Sequence, residues 1–277
     1  MDIKWIGNME EGMTLHRKYD LLWLDYAPFR EFPWLTHGFS TRFGGVSRGC
    51  YASMNLDRGS DDDPAAVRTN FERIASAIGF PVSSLVFARQ THTANVRKVR
   101  RSDRGSGLER PVPWTDVDGL ITNAPGVTLV TVYADCVPLY FVDPINHAIG
   151  LSHSGWRGTA AGIGRVTIEA MQQEFGSEPS NMYAAIGPSI CKSCYEVGEE
   201  VAKEFPNCYV TPKANGKYLL DLQGACRGVI AEAGVPLSRI LMPNLCTCCN
   251  PDLFYSHRAM GKQRGEMAAF LGIREDY

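Results

Sequence analysis

The feature that most limits what this chain can fold into is a set of short apolar runs, each stopping at polar residues. Residues 84–88 (SLVFA), 127–133 (VTLVTVY), 139–142 (LYFV) and 148–151 (AIGL) have the length and composition of buried strands, and 182–186 is a further candidate. Hairpin-length connections join some runs and helix-length segments join others, which predicts an α/β fold with mixed sheets. A helix is expected after Pro64, with Ala66, Phe71, Ile74 and Ile78 near one face and Gly79 at its end. The three aspartates before it read as a charged N-terminal turn favoured by the helix dipole. Further helices are expected over 158–175, with Ile163, Val166, Ile168 and Met171 inward, over 196–205 and over 222–233. The polar stretch 97–114 (RKVRRSDRGSGLERPVPW) reads as a solvated hairpin or loop.

No linker, repeat or low-complexity tract divides the 277 residues, so one domain over 1–277 is expected. With 28 basic and 30 acidic side chains, the charge gives no electrostatic reason to expect nucleic acid or an anionic membrane as partner. No apolar run approaches the roughly 20 residues of a transmembrane helix. The opening MDIKWIGNMEEGM has no basic segment leading into an apolar stretch, so no signal peptide is expected. The nine cysteines then read as reduced thiols of a cytoplasmic protein.

Chemistry-bearing residues stand where the runs end. The first is followed by Arg89, Gln90, Thr91 and His92, the second by Asp135 and Cys136, and the fourth by His153 in Ser-His-Ser-Gly-Trp-Arg-Gly. Strand ends are held by the sheet yet open to loops, where α/β proteins usually carry their sites. His92, Cys136 and His153 suit two chemistries: three ligands of a catalytic zinc with one position open, or a Cys136 nucleophile with His153 as base. A buried thiol beside two hydrogen-bonded histidines is the structural alternative.

Cys191-x-x-Cys194 and Cys246-x-Cys248-Cys249 offer a second set of thiols. They lie about 50 residues apart, further than a zinc ribbon's usual gap, so they read as small hydrophobic side chains rather than a structural zinc site. The glycine clusters match neither a Walker loop nor the dinucleotide fingerprint. Arg42, Arg157 and Arg258 could each offer a planar fork to phosphate.

Taken together, the segments 37–56 (HGFSTRFGGVSRGCYASMNL), 88–96 (ARQTHTANV), 116–122 (DVDGLIT), 134–144 (ADCVPLYFVDP), 153–163 (HSGWRGTAAGI), 185–198 (AIGPSICKSCYEVG) and 253–258 (LFYSHR) resemble the YfiH/YlmD family. These laccase-domain proteins are also labelled multicopper polyphenol oxidases and purine nucleoside phosphorylases. The resemblance implies a layered α/β/β/α arrangement, similar to that of a bacterial cytotoxic deamidase. It implies zinc bound by His92, Cys136 and His153. It further implies phosphorolysis of adenosine, inosine and methylthioadenosine, and deamination of adenosine, with purine nucleosides and phosphate as small-molecule partners. An older reading of the family is copper-dependent phenol oxidation. Full multicopper chemistry needs around ten imidazole and thiolate ligands, and the chain has six histidines, although copper can occupy a single N/S site.

Within that reading Asp135 is the candidate acid/base group, or else a carboxylate that orders its loop. Arg42 and Arg258 are the candidate phosphate clamp; Arg157 is a third, which also reads as a brace for the Trp156 loop. Gln90, Asn55 and His257 are candidate hydrogen-bond partners for base or ribose. Where relatives often read Thr-Gly-Arg-Met, this chain has Arg264-Gly265-Glu266-Met267, a charge reversal expected to alter efficiency or substrate preference. Ser193 stands where many relatives have a second adjacent cysteine.

Overall fold

The computed structural model describes residues 3–6 and 12–277. The segment on which the signal-peptide expectation rests, 1–13, falls partly outside them.

The apolar runs become strands because their β-branched and aromatic side chains cover both faces of a sheet that is itself covered on both sides. In chain order the strands are β1 (Thr14–Lys18), β2 (Leu21–Asp25), β3 (Leu35–Ser40), β4 (Leu85–Phe87), β5 (Val96–Lys98), β6 (Gly119–Thr122), β7 (Thr128–Tyr133) and β8 (Val137–Asp143). They continue as β9 (Ala148–Ser154), β10 (Tyr183–Ile186), β11 (Glu196–Val197), β12 (Val210–Pro212), β13 (Tyr218–Leu220), β14 (Ile240–Leu241) and β15 (Met267–Ile273). The α-helices are α1 (Pro64–Ile78), α2 (Trp156–Ala160), α3 (Ile163–Phe175), α4 (Glu199–Ala202), α5 (Leu222–Glu232) and α6 (His257–Met260).

Two six-stranded sheets form, in the orders β1-β2-β3-β15-β7-β4 and β14-β10-β8-β9-β6-β5, with a small sheet β11-β13-β12 beside them. Both large sheets are mixed: β4 with β7, β5 with β6 and β10 with β14 pair parallel, and the other neighbours antiparallel. Three apolar clusters show the layering. One lies between the sheets, where Phe39, Leu129 and Leu271 of the first meet Tyr140, Ile149 and Leu151 of the second. Another packs α3 and α5, through Ile168, Met171 and Ile230, on the outer face of the second sheet. The last packs Phe71 and Ile74 of α1 against Phe87, Val130 and Phe270 on the outer face of the first. This is the α/β/β/α layering expected from the resemblance.

Helix α1 starts where Asp63 accepts the Ala65 N–H at 2.9 Å and ends at Gly79 with φ 99°. Its inward face is Val67, Asn70, Phe71, Ile74 and Ala75; Ala66 and Ile78 are half-buried, one position off the expected stripe. The helix expected over 158–175 is two helices, α2 and α3, because Gly162 turns left-handed at φ 74° between them, and Val166 is half-buried rather than inward. The helix expected over 196–205 is helical only in α4, since Glu196 and Val197 pair with β13 instead. The polar stretch 97–114 begins inside β5 and ends at a buried Trp114, over whose ring Arg97 stacks at 4.7 Å, so part of it is structural. No helix among the described residues is long and apolar enough to cross a membrane.

Phe71 is fully buried, edge-on to Phe87 at 5.2 Å and to Phe270 at 6.4 Å. Phe71→Ala removes the side chain that joins α1 to its sheet and should lower the unfolding free energy by about 3–5 kcal/mol, read from denaturant midpoints at unchanged slope.

Candidate metal centre and active site

Three strand ends bring the predicted trio together. Strands β8 and β9 pair in register from Val137 opposite Ser154 to Asp143 opposite Ala148. Cys136, just before β8, therefore lies beside the end of β9, which carries His153. His92 arrives from the loop after β4. One ligand atom from each of His92, Cys136 and His153 lies within 4.8 Å of the others, and Cys136 Sγ is 4.0 Å from His92 Nε2. A glycine is required alongside: a Cβ on Gly155 would stand 2.7 Å from His92 Cδ2 and 3.2 Å from Cys136 Sγ.

What holds the trio is Asp118, which sequence reasoning missed. It is fully buried just before β6, and its Oδ1 accepts from His153 Nδ1 at 2.9 Å and from the His92 N–H at 3.0 Å. Its Oδ2 accepts from the N–H groups of Thr91 and Thr93, at 3.1 and 2.8 Å, and from the Thr93 hydroxyl at 2.8 Å. This wrapping holds His92 at φ 66°, a left-handed conformation that a non-glycine residue adopts only when its surroundings impose it. Because Nδ1 of His153 is engaged by a carboxylate, Nε2 is the nitrogen left for a ligand, the usual arrangement of metal-binding histidines.

The electrostatics agree. Burial alone would raise the Asp118 carboxyl, but its bonds to His153, Thr93 and Thr91 hold it down at about 2. Burial likewise opposes charge on Cys136, yet His153 and His92 bring the thiol down to about 6. Burial opposes charge on His153 as well, and the Cys136 thiolate and Asp118 raise it to about 10. The three form an anionic pocket whose imidazolium proton a metal ion can replace.

The trio opens into a cavity of about 810 Å³, within the range of small-molecule sites. Gln90, Asp135, Arg157, His257 and Arg258 also line it. Arg157 stacks on Trp156 at 4.2 Å, in keeping with its reading as a brace. Gln90 spends its carboxamide on the main chain of Val132, donating and accepting at 2.8 Å, so it shapes the wall through its stem. Asp135, at φ 88°, accepts from the Thr247 hydroxyl at 2.6 Å and the Arg258 N–H at 2.7 Å. Both its oxygens are engaged, which favours the loop-ordering role over proton transfer. Arg258 lies over the Tyr195 ring and donates to the Glu196 carbonyl at 2.9 Å.

Two predicted residues do not line the cavity. Arg42 donates to the carbonyls of Ala52 and Pro251 at 2.8–3.2 Å and stacks on Tyr255, so its guanidinium is committed to holding loops together. Asn55 is fully buried, and its Oδ1 accepts from the N–H groups of Asp57 and Glu266, both 3.0 Å, fixing two residues that do line it. Arg89, already noted at the end of the first run, lines the cavity too, and Arg58, Tyr195 and Arg264 are cavity residues to which sequence reasoning gave no role. Glu266 lines the cavity, with Arg264 3.5 Å away, so the charge reversal comes with a neighbouring cation. Burial pushes its carboxyl from 4.5 to about 7, helped by Asp57 and opposed by Arg264.

The sequence profile of a family described as multi-copper polyphenol oxidoreductase laccase matches residues 36–274. The chain belongs to this family. It is 40% identical over 250 residues to purine nucleoside phosphorylase YlmD of Geobacillus stearothermophilus, covering 87% of this chain and 90% of that one. It is 34% identical to adenosine deaminase RL5 of an unknown prokaryotic organism over 244 residues, 85% of this chain and 92% of the relative. The crystal structure of YlmD from Geobacillus stearothermophilus superposes with a TM-score of 0.88 at 38% identity, covering 94% and 99% of the two chains. The YfiH/YlmD resemblance and the mixed α/β fold are thereby established, and the chain is an enzyme of this family.

Two predictions follow from these contacts. Asp118→Asn matches the side chain in size but turns one acceptor into an NH2 facing donors and removes the carboxylate that orients His153. The folded chain should therefore be less stable and bind metal about 10–100-fold more weakly, the latter measured by competition with a chromophoric chelator. Glu266 binds its proton more tightly folded than unfolded, so the stability that protonation contributes is present below about pH 4.5 and lost as pH rises through about 7. Glu266→Gln should therefore gain stability over the parent above pH 7 and show no gain below 4.5. The side chain is 20% exposed, which limits the gain to on the order of 2 kcal/mol in urea midpoints.

Proposed function

We propose that this chain is a zinc-dependent purine nucleoside enzyme. It splits adenosine, inosine and methylthioadenosine with phosphate into free base and (methylthio)ribose 1-phosphate, and it deaminates adenosine. The observation that carries the reading is the His92–Cys136–His153 cluster opening onto a cavity lined by several arginines. A cavity of this size accommodates a nucleoside together with phosphate.

Two nitrogens and one thiolate suit zinc and leave one position open, and the ion would supply a Lewis acid and an acidified water. The chain's own residues do the rest. Arg89, Arg157 and Arg258 bring cations to the cavity lining, so a phosphate can be held against the sugar. In phosphorolysis a phosphate oxygen bonds to the glycosidic carbon while its bond to the purine nitrogen breaks, and the departing base needs a proton. In deamination water adds to the ring carbon and ammonia leaves, which also needs a proton moved. Glu266, titrating near neutrality in the cavity, is suited to hold that proton, whereas Asp135 has both oxygens engaged. Trp156, Tyr195 and Ile190 supply the apolar surface that a purine ring favours.

The copper-oxidase reading has less support, because only two imidazoles meet in the cluster. His16 stacks on Trp23, His37 bonds to Tyr26 and His147 packs on Trp34, all away from it. All nine cysteines are unpaired, which suits a reducing compartment, the cytoplasm.

The test is turnover of adenosine with and without phosphate, beside the metal content of the purified chain. Adenine and ribose 1-phosphate should form with phosphate present and inosine should form from water, both falling at least about 100-fold in His92→Ala. Zinc affinity should fall as the pH is lowered, because Cys136 and the two histidines bind the ion only in their deprotonated forms. Full turnover by a metal-free His92→Ala chain would overturn the reading in favour of a Cys136 nucleophile with His153 as base.

A further inference from the structure

We propose a second metal site: a structural zinc ion held by the thiolates of Cys191, Cys194, Cys246 and Cys249. The sequence gap between the two Cys-x-x-Cys pairs argues against such a site, but the fold closes it. Strands β10 and β14 pair parallel, Ala184 opposite Ile240 and Ala185 opposite Leu241, and the chain between them passes through α5. Parallel pairing brings the segments after the two strands side by side, and Ser189 pairs with Cys246 in the same direction. Each pair of cysteines is thereby placed at the same sheet end.

The geometry is that of a tetrahedral thiolate cage. One Sγ from each cysteine lies within 4.8 Å of the other three, with Cys194 to Cys249 at 3.4 Å and Cys191 to Cys249 at 3.9 Å. Zinc–sulfur bonds of about 2.3 Å give a tetrahedron with edges of roughly 3.8 Å, so contraction by less than about 1 Å closes the cage. Cys246 is fully buried, and its sulfur accepts the N–H groups of Cys191 at 3.2 Å and Cys249 at 3.4 Å. Main-chain donors aimed at a buried sulfur stabilise a thiolate and have no comparable use for a neutral thiol. Cys191 and Cys194 sit on one tight turn, in which the N–H groups of Cys194 and Tyr195 return to the Cys191 carbonyl at 3.1 Å.

Four sulfurs leave no position for water or substrate, so the site is structural, and soft tetrahedral sulfur ligands select zinc among common divalent ions. As the ion enters, four thiols release their protons to solvent. The clamp ties two stretches that build the catalytic cavity. Ile190 and Tyr195 line it from one side, and Thr247 on the other fixes Asp135. Asn250 extends the tie by exchanging hydrogen bonds with the main chain of Lys4, at 2.8 and 3.0 Å.

The test uses the full-length chain purified under reducing conditions, with zinc counted by elemental analysis and cobalt(II) as spectroscopic probe. Two zinc ions per chain are expected, falling to one in a His92→Ala, Cys136→Ser double variant. Cobalt(II) loaded into that variant after its zinc has been removed by chelation under reducing conditions should give the intense sulfur-to-cobalt charge-transfer absorption of a tetrathiolate site. Cys249→Ser should abolish that absorption and lose the second zinc. If Cys249→Ser does not fold, the double variant alone still decides. The proposal is overturned if the double variant binds no zinc and shows no such absorption, or if its mass reveals two hydrogens lost to a Cys194–Cys249 disulfide. Because the reading is metal content in a chain lacking the first site, failure of the proposed catalytic function would leave it untouched.

Discussion

One buried carboxylate organises the centre of this molecule. Asp118 has no exposed surface, so its charge must be met by protein groups, and four donors besides an imidazole meet it. Those donors belong to the loop after β4 in one sheet and to the end of β9 in the other. The same residue also offers its carbonyl to the His153 N–H at 2.7 Å. The carboxylate thus acts as a pin through both sheets, and the positions of two candidate ligands follow from it. Removing the charge leaves several main-chain donors without an acceptor, a larger penalty than the loss of any single bond.

The two sheets explain why the cavity lies where it does. Their inner faces share one core, and the strand ends that carry His92, Asp135, Cys136 and His153 leave that core at the same edge. The loops there cannot continue the sheet ladders, so their polar groups turn to side chains such as Asn55, Gln90 and Arg42. These three saturate main-chain groups instead of facing the cavity with free donors.

This also decides what a reader of the sequence can see. Apolar runs and the residues after them are local signals, so strands β4, β7, β8, β9 and β10 and the candidate trio of His92, Cys136 and His153 are legible without any long-range information, whereas the other ten strands described, short or less apolar, are not. Arg42 and Asn55 look like ligand-binding residues because their chemistry is right. Arg42 spends its guanidinium on the carbonyls of Ala52 and the distant Pro251, and Asn55 is saturated by Asp57, Ser60, Asp62 and the distant Glu266, so neither faces the cavity. Asp118 is hidden for the same reason: its acceptors face a loop 26 positions earlier in the chain. Its signal was present, as a carboxylate opening an apolar run, and gains meaning only once that run is known to lie beside β9. Gly162 similarly divides a helix that periodicity alone reads as continuous.

Gly155 carries a consequence for how this protein can change. With His92 and Cys136 pressed against the place where its side chain would be, and the main chain of 91–93 bound to Asp118, the ligand-bearing wall tolerates almost no substitution. Pro111 and Val112 reach the cavity differently, from a loop outside the strands, and neither bonds to the trio or to Asp118. A library built to evolve new specificity should therefore randomise these two positions while leaving Gly155 and the loop 91–93 fixed.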